Sequence, residues 1–190
     1  MEAPNSDNVT YAKPKVTGAI FVDLTGAAAA PTDATTALAT GFTALGYITD
    51  DGTTISRDSD SNDTNAWGGD LVLHTNGGKT TTIEFTLIEQ SADVAKLVFD
   101  PKNVTVDSTT GNINISDKGW NDNSYPYVID TILKDGRSKR HYIPKAIISG
   151  IGDETLDDSD PDGYDTTLTC MKNSDGEFQK IYIGKVSSGS

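Results

Sequence analysis

"TTTIEFTLI", residues 80–88, decides the fold class. Ile83, Phe85 and Leu87 alternate with Thr82, Glu84 and Thr86, the two-residue period of a strand with one face in a core and the other in water. Similar short runs of β-branched and aromatic residues recur along the chain, separated by turn pairs. Three junctions read as hairpins. "LVLHTNGGKTTTIEFTLI" (71–88) is predicted to turn at Asn76-Gly77-Gly78, "YVIDTILKDGRSKRHYI" (127–143) at Asp135-Gly136, and "TLTCMKNSDGEFQKIYI" (167–183) at Asp175-Gly176.

One helix is expected after the first of these strands. Ser91 is placed to cap it, Asp93 lies in the first turn where the helix dipole favours negative charge, and Val94, Leu97 and Val98 share a face. Asp100-Pro101 stops it. "GAAAAPTDATTALATGFTALG" (26–46) is interrupted by Gly41 and rich in Thr, and reads as a loop with at most a short helical turn, pinned to the core by Leu38, Phe42 and Leu45. The sum is a mainly β fold: a β-sandwich or small barrel with one packed α-helix and long extended loops.

Composition narrows the function. The 190 residues suit a single domain over 1–190, and the apolar share of 35% lies below the roughly 45–50% usual for globular chains. With 28 acidic residues against 15 basic ones and a net charge of -13, the chain repels phosphate and is not built to hold nucleic acid. Cys170 is the one cysteine, so no intramolecular disulfide forms. The start lacks a basic, apolar leader and no apolar run of ~18 residues occurs, which predicts a chain made and kept in the cytoplasm with no membrane span. Residues 1–14, polar with two prolines, and 184–190 are expected to be mobile tails.

"DDGTTISRDSDSNDTNAWGGD" (50–70) carries no hydrophobic stripe to hold it against a core. A polar insertion of this length between strands is uncommon in a compact domain and is either functional or disordered.

Few residues suggest chemistry. Asp158, Asp160, Asp162 and Gly163 match the first half of a calcium loop, but Thr169 stands where a bidentate glutamate belongs and Pro161 stiffens the wrap. Asp58, Asp60 and Asn62 begin a weaker match, with Asp63 in place of the glycine and Gly69 in place of the glutamate. His74 and His141, the only imidazoles, are near neither Cys170 nor a glycine-flanked serine in sequence and read as surface or core histidines. "GDLVLHTNGGKTTT" lacks the spacing of a phosphate loop. No catalytic residue, metal or cofactor is assigned. Arg137, Lys139, Arg140 and Lys145 gather in an otherwise acidic chain, either as a solvated hairpin or as a patch that meets an acidic surface on another copy. Complementary poles on one molecule favour head-to-tail contacts, which build rings or filaments.

The order of the segments resembles a known family. "VTGAIFVDLTGAAAAPTDATTALATGFTALGYITDDGTTIS", "AWGGDLVL", "TTTIEFTLIEQSADVAKLVF" and "RSKRHYIPKAIISGIGDETLDDSDPDGYDTTLTC" together are similar to the major tail protein, or tail tube protein, of bacteriophages with long flexible tails, over about residues 16–183. The resemblance implies a β-sandwich with one helix, six copies in a ring, and rings stacked into a hollow tube that DNA traverses without specific binding. It implies no catalytic residues, partners among other tail proteins (initiator, tape measure, terminator), and a place in the virion tail after assembly in the host cytoplasm. Members grip neighbours through loops and arms. On that basis residues 50–66 are expected to form an arm, ordered by a neighbour, with Trp67 anchoring its base in apolar surface. The contact candidates are Asp51, Arg57, Asp58, Asp60, Asp63 and Trp67 on the insertion and Arg137, Lys139 and Arg140 on the basic hairpin. Thr82, Glu84 and Thr86 are the candidates for a lumen wall that gives phosphates no cationic wells. Two other readings compete: a calcium-dependent Ig-like binding or adhesion module, motivated by "DDSDPDGYD", and a hydrolase on a β-sandwich, which would need a closed pocket holding His74 or His141 beside a carboxylate.

Overall fold

The structure, a computed structural model, describes residues 4–6, 9–15 and 18–184. In chain order its elements are β1 (Ala12–Pro14), β2 (Ile20–Val22), β3 (Thr43–Ala44), β4 (Thr54–Asn65), β5 (Leu71–Leu87), α1 (Ala92–Phe99), β6 (Val104–Val106), β7 (Ile113–Ile115), β8 (Ser124–Leu133), β9 (Ser138–Ile151), β10 (Tyr164–Cys170) and β11 (Lys180–Ile183). The main sheet runs β3-β2-β8-β9-β10-β5-β4, with β1 also on β8 and β11 also on β9, while β6 and β7 pair separately.

The alternation in "TTTIEFTLI" is realised as read. Ile83, Phe85 and Leu87 are buried, and Thr82, Glu84 and Thr86 face away from the core. Ile20 of β2, Leu97 of α1, Ile143 of β9 and Leu168 of β10 join them in one buried cluster. Distant strands of one twisted sheet share this cluster only because the sheet folds over on itself, giving a β-sandwich with one helix. The strands do not close into a barrel.

The helix forms where its capping residues place it. Ser91 Oγ accepts the Val94 N–H at 3.3 Å, Val94, Leu97 and Val98 are buried, and the helix ends at Asp100, whose φ of 71° breaks the helical run before Pro101. Phe99 meets Tyr164 edge-on at 5.7 Å between ring centroids, tying the helix end to β10.

Residues 26–46 form a loop with β3 near its end and without a helical turn. Leu45 is fully buried in the core, whereas Leu38 and Phe42 are half-buried and lie outside the central cluster. Asp33 fixes the middle of the loop by accepting the Thr35 and Thr36 N–H groups, both at 2.6 Å.

Four expectations are corrected. Asn76-Gly77-Gly78 is no turn but a bulge inside β5: Ser59 pairs with Lys79 and Ser61 with Asn76, leaving Asp60 opposite two glycines. A Cβ on Gly77 would lie 2.8 Å from that of Asp60, so only glycine fits the closed-up bulge. The reversal comes instead at Ala66–Asp70, where Gly68 and Gly69 take φ of 130° and 99°. Residues 54–65, read as loop, are strand β4, because β5 supplies partners for their backbone even though only Ile55 packs against the core and residues 57–65 are exposed on both faces.

Third, Asp175-Gly176 makes a turn but not a hairpin. β10 and β11 each run antiparallel to β9, against its residues 146–151 and 139–142, and never pair with each other. Only Asp135-Gly136 of the three predicted junctions joins paired neighbours, β8 and β9. Fourth, Ala12–Pro14, expected within a mobile arm, are β1 on β8, and Gly184 N–H is held by Ser138 O at 2.8 Å. The rest of the predicted tail 184–190, and positions 1–3, 7 and 8 of the predicted arm, lie outside the described residues.

Candidate assembly surface

Beyond Thr82, β5 leaves β10 and continues only with β4. From Arg57 to Thr80 the two strands form a ribbon whose residues are exposed throughout, an arm standing off the domain. Asp58, Asp60 and Asp63 lie on its first strand, and Asp63 Oδ1 sits 2.5 Å from His74 Nδ1 across the ribbon. Carboxylates on a long edge strand discourage unwanted strand pairing in a free monomer.

Trp67 is at the tip and fully exposed, not anchored at the base as predicted. Beside it Leu71, Val72 and Leu73 are each more than half exposed. A register shift between Thr64 and Asn65 bends the ribbon here. These three residues were missed in the sequence because they read as an ordinary buried strand.

At the foot of the arm a groove of about 1100 Å³ opens between β1, β8 and β9 on one side and residues 46–53 with the start of β4 on the other. Ala19, Ile48, Ile55 and Ile129 supply its apolar surface, and Lys139, Arg57 and Asp51 reach it from different walls. Gly46 takes a φ of 78°, a conformation that favours glycine, and beside it Glu89 Oε1 accepts the Tyr47 N–H at 2.8 Å.

The basic hairpin does not act as one patch. Arg140 is buried and withdrawn from the predicted contact set: it forks onto Asp130 and donates through Nη1 to the carbonyls of Asp33 and Thr36 at 3.0 and 2.9 Å. Alternation puts it on a strand, and nothing in "GRSKRHYI" tells which of its cations turns inward. Lys15 Nζ joins the same carboxylate at 3.1 Å. Arg137 pairs with Asp135 at 2.5 Å, half in solvent, while Lys139 and Lys145 make no ion pair among the described residues.

Thr82, Glu84 and Thr86 look out from the sheet beside Thr169, Thr167 and Asp165 of β10, their direct partners in register. Thr86 Oγ1 donates to Asp165. On the other flank Glu84 and Thr82 face Thr54 and Ser56 of β4. This water-facing field of hydroxyls and carboxylates holds no Lys or Arg at those paired positions.

The groups proposed for chemistry are not assembled for it. Burial pushes the Cys170 thiol up to about 11, so it stays protonated at neutral pH, and burial lowers the pKa of His141, whose Nδ1 lies 2.9 Å from Gln179 Oε1. Asp157 turns its loop inward, accepting the N–H groups of Ser159 and Asp160 at 2.8 and 2.9 Å. Gly163 is there because a Cβ would meet Leu87 O at 2.7 Å, not to bend around an ion. Among the described residues no three His, Cys, Asp or Glu side chains gather as metal ligands, so the calcium reading loses the cluster that motivated it. No helix of the described residues is long and apolar enough to cross a membrane.

A mainly β domain that commits much of β4 and of β5, its longest strand, to an exposed ribbon is shaped for contact with other macromolecules. Comparison with known families makes this specific: residues 2–185 match the family model described as phage tail tube protein, and the chain belongs to that family. Its role is therefore a structural one in the bacteriophage tail tube. A search of curated proteins found no match.

Proposed function

We infer that the chain is the repeating subunit of the tail tube: six copies close into a ring, rings stack into a hollow tube, and DNA passes through it to the host without specific binding. The observation that carries this reading is the arm from Arg57 to Thr80, which makes no core within its own domain and needs a neighbour to cover its apolar tip. Asp58, Asp60, Asp63 and Trp67 on the arm, with Asp51, Arg57 and Lys139 at its foot and Arg137 at the turn between β8 and β9, are the contact residues. The field around Thr82, Glu84 and Thr86 is the lumen wall. Carboxylates and hydroxyls there offer phosphates no cationic wells, and since screening in physiological salt acts over about 8 Å, only wall charges matter to the DNA. Initiator, tape-measure and terminator proteins are the other partners, and assembly occurs in the host cytoplasm before the tail enters the virion. The chain is not an enzyme and takes no cofactor.

The test is electron microscopy of purified protein at high concentration, with and without the tail initiator. Hollow filaments of uniform bore with six-fold end views are expected. Monomers under every condition contradict the reading, and a large rise in melting temperature with micromolar calcium would favour a binding module instead.

A further inference from the structure

The groove at the foot of the arm has an occupant that the same molecule carries. We propose that each groove receives the arm tip of another copy, with Trp67 entering beside Tyr47 onto the floor made by Ala19, Ile55 and Ile129. This rests on the chain being a self-assembling subunit and adds where the arm goes.

Three observations converge on it. Trp67, Leu71, Val72 and Leu73 concentrate exposed apolar side chains at the end of an acidic ribbon, a feature that marks a binding surface. The groove, at about 1100 Å³, exceeds the roughly 300–1,000 Å³ of small-molecule sites and suits a bulky segment of protein. Asp50, Asp51 and Glu89 line the groove beside Lys15, Arg57 and Lys139; of its cations Lys139 and Arg57 have no ion-pair partner in their own chain among the described residues, and an incoming ribbon brings Asp58 and Asp60 behind its tip to meet these two. Charge therefore orients what the apolar contact holds.

A copy is unable to fill its own groove. Arg57 lines the groove, and the ribbon runs from it, paired on both sides of two register shifts, to Asn65, eight residues further at ~3.3 Å each, which carries the tip up to roughly 26 Å along the ribbon. Tip and groove are different surfaces of one molecule, so their contact is heterologous and repeats from copy to copy.

Two chains, each with one added surface cysteine, test this, since the native Cys170 is buried. Ala66→Cys labels the tip and leaves Trp67 in place; Asp51→Cys labels the groove rim, and both positions are exposed. Polymer co-assembled from the two and oxidised is expected to give a covalent dimer that neither chain gives alone, and none when Leu156→Cys, exposed outside the groove, replaces Asp51→Cys. Polymer that forms without the Ala66→Cys/Asp51→Cys dimer overturns the docking site and leaves the tube reading standing. Absence of any polymer from the unmodified chain overturns both. As a second measurement, Trp67→Ala is expected to keep its melting temperature and lose at least tenfold in sedimentable polymer; unchanged polymer overturns the proposal.

Discussion

Arg140 and Asp130 are direct partners across β8 and β9, and their side chains lock as a fork, Nε to Oδ1 at 2.7 Å and Nη2 to Oδ2 at 2.8 Å, with both groups nearly inaccessible to water. The remaining guanidinium donor holds the loop at Asp33 and Thr36, so one ion pair ties the sheet to residues 33–36. Removing the carboxylate leaves the guanidinium charged and buried without a counter-ion, whereas removing Arg140 leaves Asp130 its Lys15 partner. Asp130→Ala is therefore expected to cost about 3–5 kcal/mol, read by urea unfolding of the unassembled chain. A loss under about 1 kcal/mol would show that water reaches the site.

His141 makes stability depend on pH. Burial lowers its folded pKa below the model-peptide value of 6.5, so between the two values the unfolded chain binds the proton more readily. The contribution is fully present above pH ~6.5 and is lost as pH falls towards the folded value. Melting followed from pH 8 to pH 5 should show this loss, and His141→Gln should flatten that part of the curve. An identical curve for the variant would assign the effect to other groups.

The arm is predicted to be separable from the core. Gly69 sits at a φ of 99°, and a β-branched residue there is strained. Gly69→Val should speed hydrogen exchange of the amides of residues 58–64 and leave the melting temperature within a few degrees of the parent, since these residues bury no core. A large fall in melting temperature would mean the arm helps hold the domain together.

The charge of the proposed lumen wall is open to reversal. Thr82→Lys with Glu84→Lys changes the water-facing field without touching the buried Ile83 between them. Tubes of this variant should co-sediment with DNA at low salt and release it steeply as salt rises. Tubes that ignore DNA would place this face elsewhere than on the bore.

What was legible in the sequence follows from what leaves a pattern. The core strand at Ile83, Phe85 and Leu87 and the helix from its Ser91 cap were readable because burial of one face imposes a period. The arm was missed as a strand because a ribbon exposed on both faces has no hydrophobic period, only backbone pairing, which side chains do not announce. Asn76-Gly77-Gly78 looked like a turn since glycines serve turns and bulges equally, and the deciding fact, Asp60 opposite, lies in another segment. Likewise the inward turn of Arg140 depends on Asp130 and on a loop more than a hundred residues earlier. The acidic run with Asp58, Asp60 and Asp63 stood out by composition, whereas the exposure of Leu71, Val72 and Leu73 was hidden because such residues are typical of a core.

The central claim is that the arm holds copies together. Its most direct test replaces residues 60–78 with a two-residue Asn-Gly turn joining Ser59 to Lys79, direct partners in register, and compares this chain with the parent by electron microscopy under conditions where the parent forms tubes. The account predicts a folded chain with unchanged melting temperature that stays dispersed. Tubes of normal length and bore from the shortened chain would contradict it.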